Sequence, residues 1–392
     1  MDVLTVGTNK HFIQFKDWID NEIKLLTPDF LEYGALIDKH CKFPIELIDV
    51  LQRKGLFKII IPTEYGGLGG SIADVVYAIE SIASLCASTA TIMMFHYQVV
   101  KRVIEYGTER QKRKYLPLLA TEKLGASSWT EPNSGANKHG LSASIIDDGD
   151  YYILDGRKSF CTGAGKAGVY TVLVKSQMGK EADMENNKKA FGLTNQSFII
   201  IESDDKGLRF GESWNGMGLK GTSTGELTFD QCRVPKSRLL GHVGSGTEIF
   251  KSNRDSAIHP GIIGLGLARA VFKIVLEYSL KRNLTQYQSV RFQLVEMKIN
   301  IEAIQSVIYK AAYLADSNEL DKAGYYAMQS KVLASQNSFN TINSAMQIFG
   351  GRGYLNENKV ERFLRDSRAI SLMGPVSELC KELIFQDINR LG

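Results

Sequence analysis

The chain has 392 residues, 44% of them hydrophobic and 23% charged, with a net charge of +4. That length is too great for one small core, and the composition is that of an ordinary globular protein of two or three packed units. The small net charge and scattered Lys and Arg residues speak against a nucleic-acid partner. The five cysteines form no Cys-x-x-Cys pair, which speaks against a zinc site or a disulfide framework. Free thiols in a reducing cytoplasm suit this cysteine usage, and Met1-Asp2-Val3-Leu4 lacks the basic and apolar regions of a signal peptide.

Residues 1–122 read as helices. Phe12, Phe15, Trp18, Ile19 and Ile23 recur at helical spacing over Phe12 to Leu26, and Ile45 to Leu56 repeats the pattern up to Gly55. The most apolar stretch, Val75 to Phe95, carries Glu80 and lacks basic flanks, so it reads as buried helix rather than a membrane span. Residues 123–235 change period. The run from Leu124 to Trp129, the strand–turn–strand of Tyr151 to Ala164, and the segments Val169 to Val174, Ser197 to Ile201, Gly207 to Phe210 and Gly225 to Phe229 read as short strands of an antiparallel, barrel-like unit. Gln177 to Gln196 reads as a polar excursion between two of them. In residues 236–392 helical periodicity returns over Ile262 to Lys281, Phe292 to Asp316, Lys322 to Phe349 and Ser377 to Asn389, which predicts a four-helix bundle. The fold class is therefore α+β.

The middle unit opens with Ser127-Ser128-Trp129-Thr130-Glu131-Pro132-Asn133-Ser134-Gly135, an apolar strand ending in a turn whose backbone N–H groups and small hydroxyls suit an oxygen-rich ligand. Three further stretches follow in order: Asp155-Gly156-Arg157-Lys158 with Thr162, Gly216-Met217-Gly218-Leu219-Lys220-Gly221-Thr222-Ser223 before Val234-Pro235, and Gln347-Ile348-Phe349-Gly350-Gly351-Arg352-Gly353-Tyr354. Together with Ile61 to Gly70 and Glu109 to Ala120, they make nearly the whole chain resemble the acyl-CoA dehydrogenase flavoproteins.

The resemblance implies FAD. Ser128, Trp129 and Thr130 would meet the polar edge of its ring, the last two through backbone and side chain. Thr162 stands where the family places a hydroxyl near flavin N5, and Phe160 replaces the tryptophan that packs on the ring; core packing is the other reading of Phe160. Arg282 matches the arginine that meets the FAD pyrophosphate, although the Phe and Gly that follow it in the family are missing. Gln347, Gly350 and Gly351 match the segment that reaches a neighbouring subunit's FAD, which implies a homo-oligomer, most simply a tetramer. Three further positions depart from the family: Ala136 replaces a Ser, Gly374 replaces the usual catalytic glutamate, and Val376 replaces a Thr.

The base must then stand elsewhere. Some family members carry it on the first long helix of the bundle, where this chain reads Asn253-Arg254-Asp255-Ser256-Ala257-Ile258-His259. Ser256 aligns with the alternative base position and Asp255, one residue away, is the carboxylate of that window, with Arg254 beside it as a substrate contact; an acid at a helix start is the alternative reading of Asp255, and His259 is a second possible base. The expected activity is oxidation of an acyl thioester carried by CoA or an acyl carrier protein, acting on a CH–CH, CH–OH or CH–NH₂ group. Electrons would pass to an electron-transfer flavoprotein or to oxygen. A flavin monooxygenase, or an inactive flavin-binding homologue, would share the fold. No metal, nucleic acid or membrane is expected.

Overall fold

The structure is a computed structural model that describes residues 13–134, 141–176 and 195–391. Phe12, Ala136 and residues 177–194 of the polar excursion lie outside them.

The chain begins with α1 (Lys16–His40), α2 (Ile45–Arg53), α3 (Ile72–Ala83), α4 (Ala87–Tyr106) and α5 (Glu109–Thr121). Reciprocal capping boxes start two of them: Ser71 with Asp74 on α3, and Thr108 with Gln111 on α5. The apolar run from Val75 breaks between α3 and α4, and α4 is buried on almost every side. Among the described residues no helix is long and apolar enough to cross a membrane.

The middle of the chain forms one sheet from β1 (Gly125–Ser128), β2 (Ser144–Asp148), β3 (Tyr151–Cys161), β4 (Val169–Ser176), β5 (Gln196–Glu202), β6 (Leu208–Ser213), β7 (Gly225–Pro235) and β8 (Leu239–Leu240). Its order is β6-β7-β3-β2-β4-β5-β8, with β1 also on β4. The sheet is mixed rather than purely antiparallel. β1 and β2 share one edge of β4, and both run parallel to it. The strand–turn–strand expected at Tyr151 to Ala164 is instead one bulged strand up to Cys161. Gly156 takes φ +129°, the register to β7 shifts there, and Asp155 turns its carboxylate onto the Gln231 N–H at 2.7 Å.

The C-terminal part carries α6 (Gly246–Asp255), α7 (Gly261–Lys281), α8 (Gln288–Asp316), α9 (Leu320–Phe349), α10 (Val360–Arg368) and α11 (Ser377–Leu391). The four expected helices are α7, α8, α9 and α11. The short α6 and α10 are additional; their apolar stripes are brief and rich in charge, so periodicity alone does not mark them. Helices α8 and α3 are tied by charge as well as by packing. The Asp316 carboxylate accepts from Ile72 N at 2.7 Å and Ala73 N at 3.0 Å, satisfying two first-turn donors of α3. We expect Asp316→Ala to lower stability by about 1–3 kcal/mol, read by urea denaturation, because it strands buried donors.

Candidate functional site

Strand β1 delivers Ser128, Trp129 and Thr130 to the surface between sheet and helices, and a buried ion pair fixes the turn that follows. Lys158 of β3 and Glu131 meet at 2.7 Å with side chains 0% and 2% exposed. Glu131 also accepts from Ser142 N at 2.6 Å, Ser142 Oγ at 2.7 Å and Ala143 N at 3.0 Å, and its own N–H is received by Ser134 Oγ. Ser159 N donates to Thr130 O at 2.7 Å, so β3 grips the loop by backbone as well. Burial opposes ionisation of Glu131, but the Lys158 ammonium and the Ser142 donors outweigh it and hold the carboxyl below its usual range.

Side chains along the loop alternate. Ser127 and Trp129 turn inward: the Trp129 indole donates to Ser127 Oγ at 2.6 Å and packs edge-on against Phe198 and Phe250. Its side chain is therefore spent within the protein, contrary to the expectation that it would serve the flavin edge; its backbone is not so constrained. Ser128 is also buried, yet its Oγ has no hydrogen-bond partner among the described residues. Its neighbour, the Cys161 thiol, points its weak donor toward Ser127 O and Thr162 O and also lies close enough to interact with the Ser128 hydroxyl, without the geometry of a hydrogen bond.

At the far end of β3 the strand bulges again. Phe160 adopts φ +56° and is swung outward, 65% exposed, to stack on Trp214 at 5.7 Å and 26°. Core packing is not what this residue does; it offers a flat aromatic face to solvent. Thr162 is buried beside it, 3.4 Å from Thr224 Oγ1. Thr222 donates to Leu219 O, so it accepts from Thr224, which leaves Thr224 to accept from Thr162. Leu219 N in turn donates to the Asp366 carboxylate of α10 at 2.6 Å, joining this hydroxyl chain to the bundle.

Arg282 and the Gln347–Gly351 segment meet at one end of the bundle. Arg282 caps α7, exposed, with its guanidinium 5.7 Å from the Tyr278 ring, and Tyr278 stacks on Phe349 at 4.0 Å. Gln347 is exposed, and a Cβ at Gly350 or Gly351 would meet nothing within 4 Å. This edge is open for a ligand or a second chain.

The window that should hold the base is arranged differently. Asp255 ends α6, so it is not a helix-start acid; it sits where the helix dipole disfavours a carboxylate. Arg254 Nε compensates at 3.0 Å, and its Nη1 reaches Asp387 at 3.4 Å. Burial nevertheless pushes the Asp255 carboxyl up to about 6. A Cβ at Gly324 would come within 2.0 Å of Asp255 Oδ1, so α9 passes close only because that residue is glycine. Ser256 donates its hydroxyl back to Asn253 O. His259 is buried. Its Nδ1 accepts from Gly261 N, and Nε2 therefore donates to Ser330 Oγ at 2.9 Å. Burial and the charge of Lys331 push it down to about 3, which makes it a neutral structural group rather than a base. Gly374 takes φ +68° with its Cα against Pro260, a conformation that L side chains rarely adopt. Val376 is half-buried just before α11.

Sequence reasoning overlooked Lys158 as a partner of Glu131, Trp214 as a partner of Phe160, and the buried Arg102 and Lys331. A lysine at an inward position of a strand, and an arginine or lysine on the buried face of a helix, were the available signals.

An orphaned hydroxyl at Ser128, an outward aromatic face at Phe160, and an open glycine edge beside Arg282 are features a flavin dinucleotide can use, so the residues fit the implied cofactor. Family models of the acyl-CoA dehydrogenase N-terminal, middle and C-terminal domains match residues 20–123, 126–232 and 253–388. The chain is 30% identical over 386 residues to the short-chain-specific acyl-CoA dehydrogenase of Clostridium acetobutylicum, covering 96% of each chain. Butyryl-CoA dehydrogenase from Megasphaera elsdenii superimposes with a TM-score of 0.88 at 28% identity over 100% of both chains. The prolyl acyl carrier protein oxidase AnaB does so with a TM-score of 0.87 at 25% identity, over 97% of this chain and 100% of that one.

Removing Lys158 leaves the Glu131 carboxylate buried and unpaired. We expect Lys158→Met to cost about 3–5 kcal/mol in chemical denaturation. The pH dependence follows from the depressed Glu131 carboxyl: its contribution is complete above the unfolded value and is lost as pH falls through the folded one. The stability advantage of the wild type over Glu131→Gln should therefore shrink below about pH 4 and hold steady from there to neutrality.

Proposed function

The chain belongs to the acyl-CoA dehydrogenase family, and we propose from that premise how its residues share the reaction. It is an FAD-dependent oxidoreductase that oxidises an acyl thioester at a CH–CH bond, the proton leaving Cα and the hydride leaving Cβ. FAD, when bound, supplies the hydride acceptor.

The backbone of Trp129 and Thr130 and the free hydroxyl of Ser128 hold the polar edge of the ring; the observation that carries this assignment is the buried, unpartnered Ser128 Oγ. Thr162, at the end of its hydroxyl chain, orients toward the accepting atom, and Phe160 covers the ring. Arg282 takes the pyrophosphate, and Gln347, Gly350 and Gly351 complete the site of a neighbouring subunit, so the working form is a homotetramer.

Gly374 cannot accept a proton. Asp255 is the base of our reading, because burial lifts its carboxyl to about 6, where it can both hold and release a proton near neutrality, and Arg254 orients it beside the substrate. The acyl group is presented on CoA or on an acyl carrier protein, the latter favoured by the likeness to the carrier-protein oxidase. Electrons leave to an electron-transfer flavoprotein or to oxygen. A reducing cytoplasm suits the free cysteines.

The purified protein should be yellow and release FAD on denaturation, and one class of thioester should bleach it anaerobically in a panel of CoA and carrier-protein substrates. A flavin that no thioester bleaches, but that consumes oxygen when reduced by an external donor, would replace this reading with a monooxygenase. Asp255→Asn should retain FAD and fold yet slow substrate-driven flavin reduction by about 10²-fold or more. Reduction at the wild-type rate would leave Asp255 only its contact with α9.

A further inference from the structure

Arg102 is among the largest fully buried side chains of the protein. It projects from α4 behind the loop that opens the middle unit. Its Nη1 donates to Ser127 Oγ and Thr171 Oγ1, both at 2.6 Å, and Nη2 donates to Asn253 Oδ1 of α6 at 3.0 Å. Its Nε has no hydrogen-bond partner among the described residues. The guanidinium lies 5.0 Å from the Trp129 ring and 5.1 Å from the Phe198 ring.

Every one of these hydrogen-bond partners is neutral, which is unusual for a buried cation. The nearby carboxylates are engaged elsewhere. Glu105 on the same helix is bound by Lys101 and Ser252, and Asp255 on α6 is bound by Arg254. Burial, with no opposing anion among the described residues, lowers the pKa of Arg102 to about 9, which still leaves it charged at neutral pH.

A charge kept unneutralised at such cost calls for an anion, and in the reading above one arises next door. The hydride brings two electrons and one proton to the flavin, while the second substrate proton leaves to the base, so one net negative charge accumulates on the bound cofactor. We propose that Arg102 is a positioning residue whose uncompensated charge, held behind Ser127 and Trp129, stabilises the reduced flavin and raises its midpoint potential. It does not touch the substrate. The inference rests on FAD meeting the Ser128–Thr130 edge, not on which thioester is oxidised.

The test is reductive titration of the FAD-loaded protein against a redox dye, without any acyl substrate. Arg102→Gln should make the two-electron reduction equilibrium less favourable by at least about tenfold, which is about 30 mV in midpoint potential. Arg102→Lys, which keeps the charge, should stay within about threefold of wild type, about 14 mV on the same scale. Asn253→Asp keeps Arg102 and the local shape but sets a carboxylate on Nη2. It should lower the potential in the same direction as Arg102→Gln, and it carries the test if that variant does not fold. An unchanged potential in Asn253→Asp, or equal falls in the Lys and Gln variants, overturns the proposal. Failure of every thioester to bleach the flavin would overturn the substrate reading and leave this one standing; a protein that cannot bind FAD would overturn both.

Discussion

A carboxylate and an ammonium that have both left water hold the site together. Lys158 and Glu131 would be costly apart, and together they fix the irregular segment that follows β1. Glu131 accepts from Ser142 and Ala143 as well as Lys158, so the turn after β1 is bound to the entry of β2 and to the middle of β3 at once. A turn pinned at three points can hold the end of β1 so that Ser128 stays buried with its Oγ unpaired among the described residues. Helices on either side then need only close over a surface that is already set.

That closure also relies on charge. Asp316 ties α8 to the first turn of α3, Asp366 ties α10 to Leu219, and Arg102 ties α4 to β1, β4 and α6. Each contact joins parts of the chain far apart in sequence. Together they bring the hydroxyl chain ending at Thr162 and the Ser128 loop onto one frame, although no single helix or strand carries both. The end of the bundle with Arg282 and Gln347 forms a separate group, with its polar side chains and glycines turned outward.

The region of the missing glutamate is reorganised rather than vacant. Gly374 adopts a left-handed conformation beside Pro260, and beneath it Lys331 reaches Ser371 O at 3.3 Å and Ser377 Oγ at 3.2 Å. His259 is locked neutral nearby. Restoring a glutamate at Gly374 alone would meet backbone strain, so the departure from the family is a property of the segment and not of one side chain.

The sequence by itself determined the three-part order of helices, sheet and bundle, and the four landmark stretches. These depend on local periodicity and on short runs of Gly, Pro and hydroxyl residues, which act through the backbone within a few residues. It also determined that Gly374 could not be the base. Only the tertiary structure decided where side chains point. It turned the Trp129 indole inward onto Ser127, and it turned Phe160 outward because a bulge in β3 reverses the expected alternation there. It made Asp255 the end of one helix rather than the start of the next, because a left-handed residue, Ala257, separates α6 from α7. It paired Lys158 with Glu131, and left Arg102 without an anion among the described residues, because charges separated by tens of residues meet only when the sheet and helices have packed. Electrostatics in a protein interior is set by distance and burial, and neither is written in the spacing of the chain.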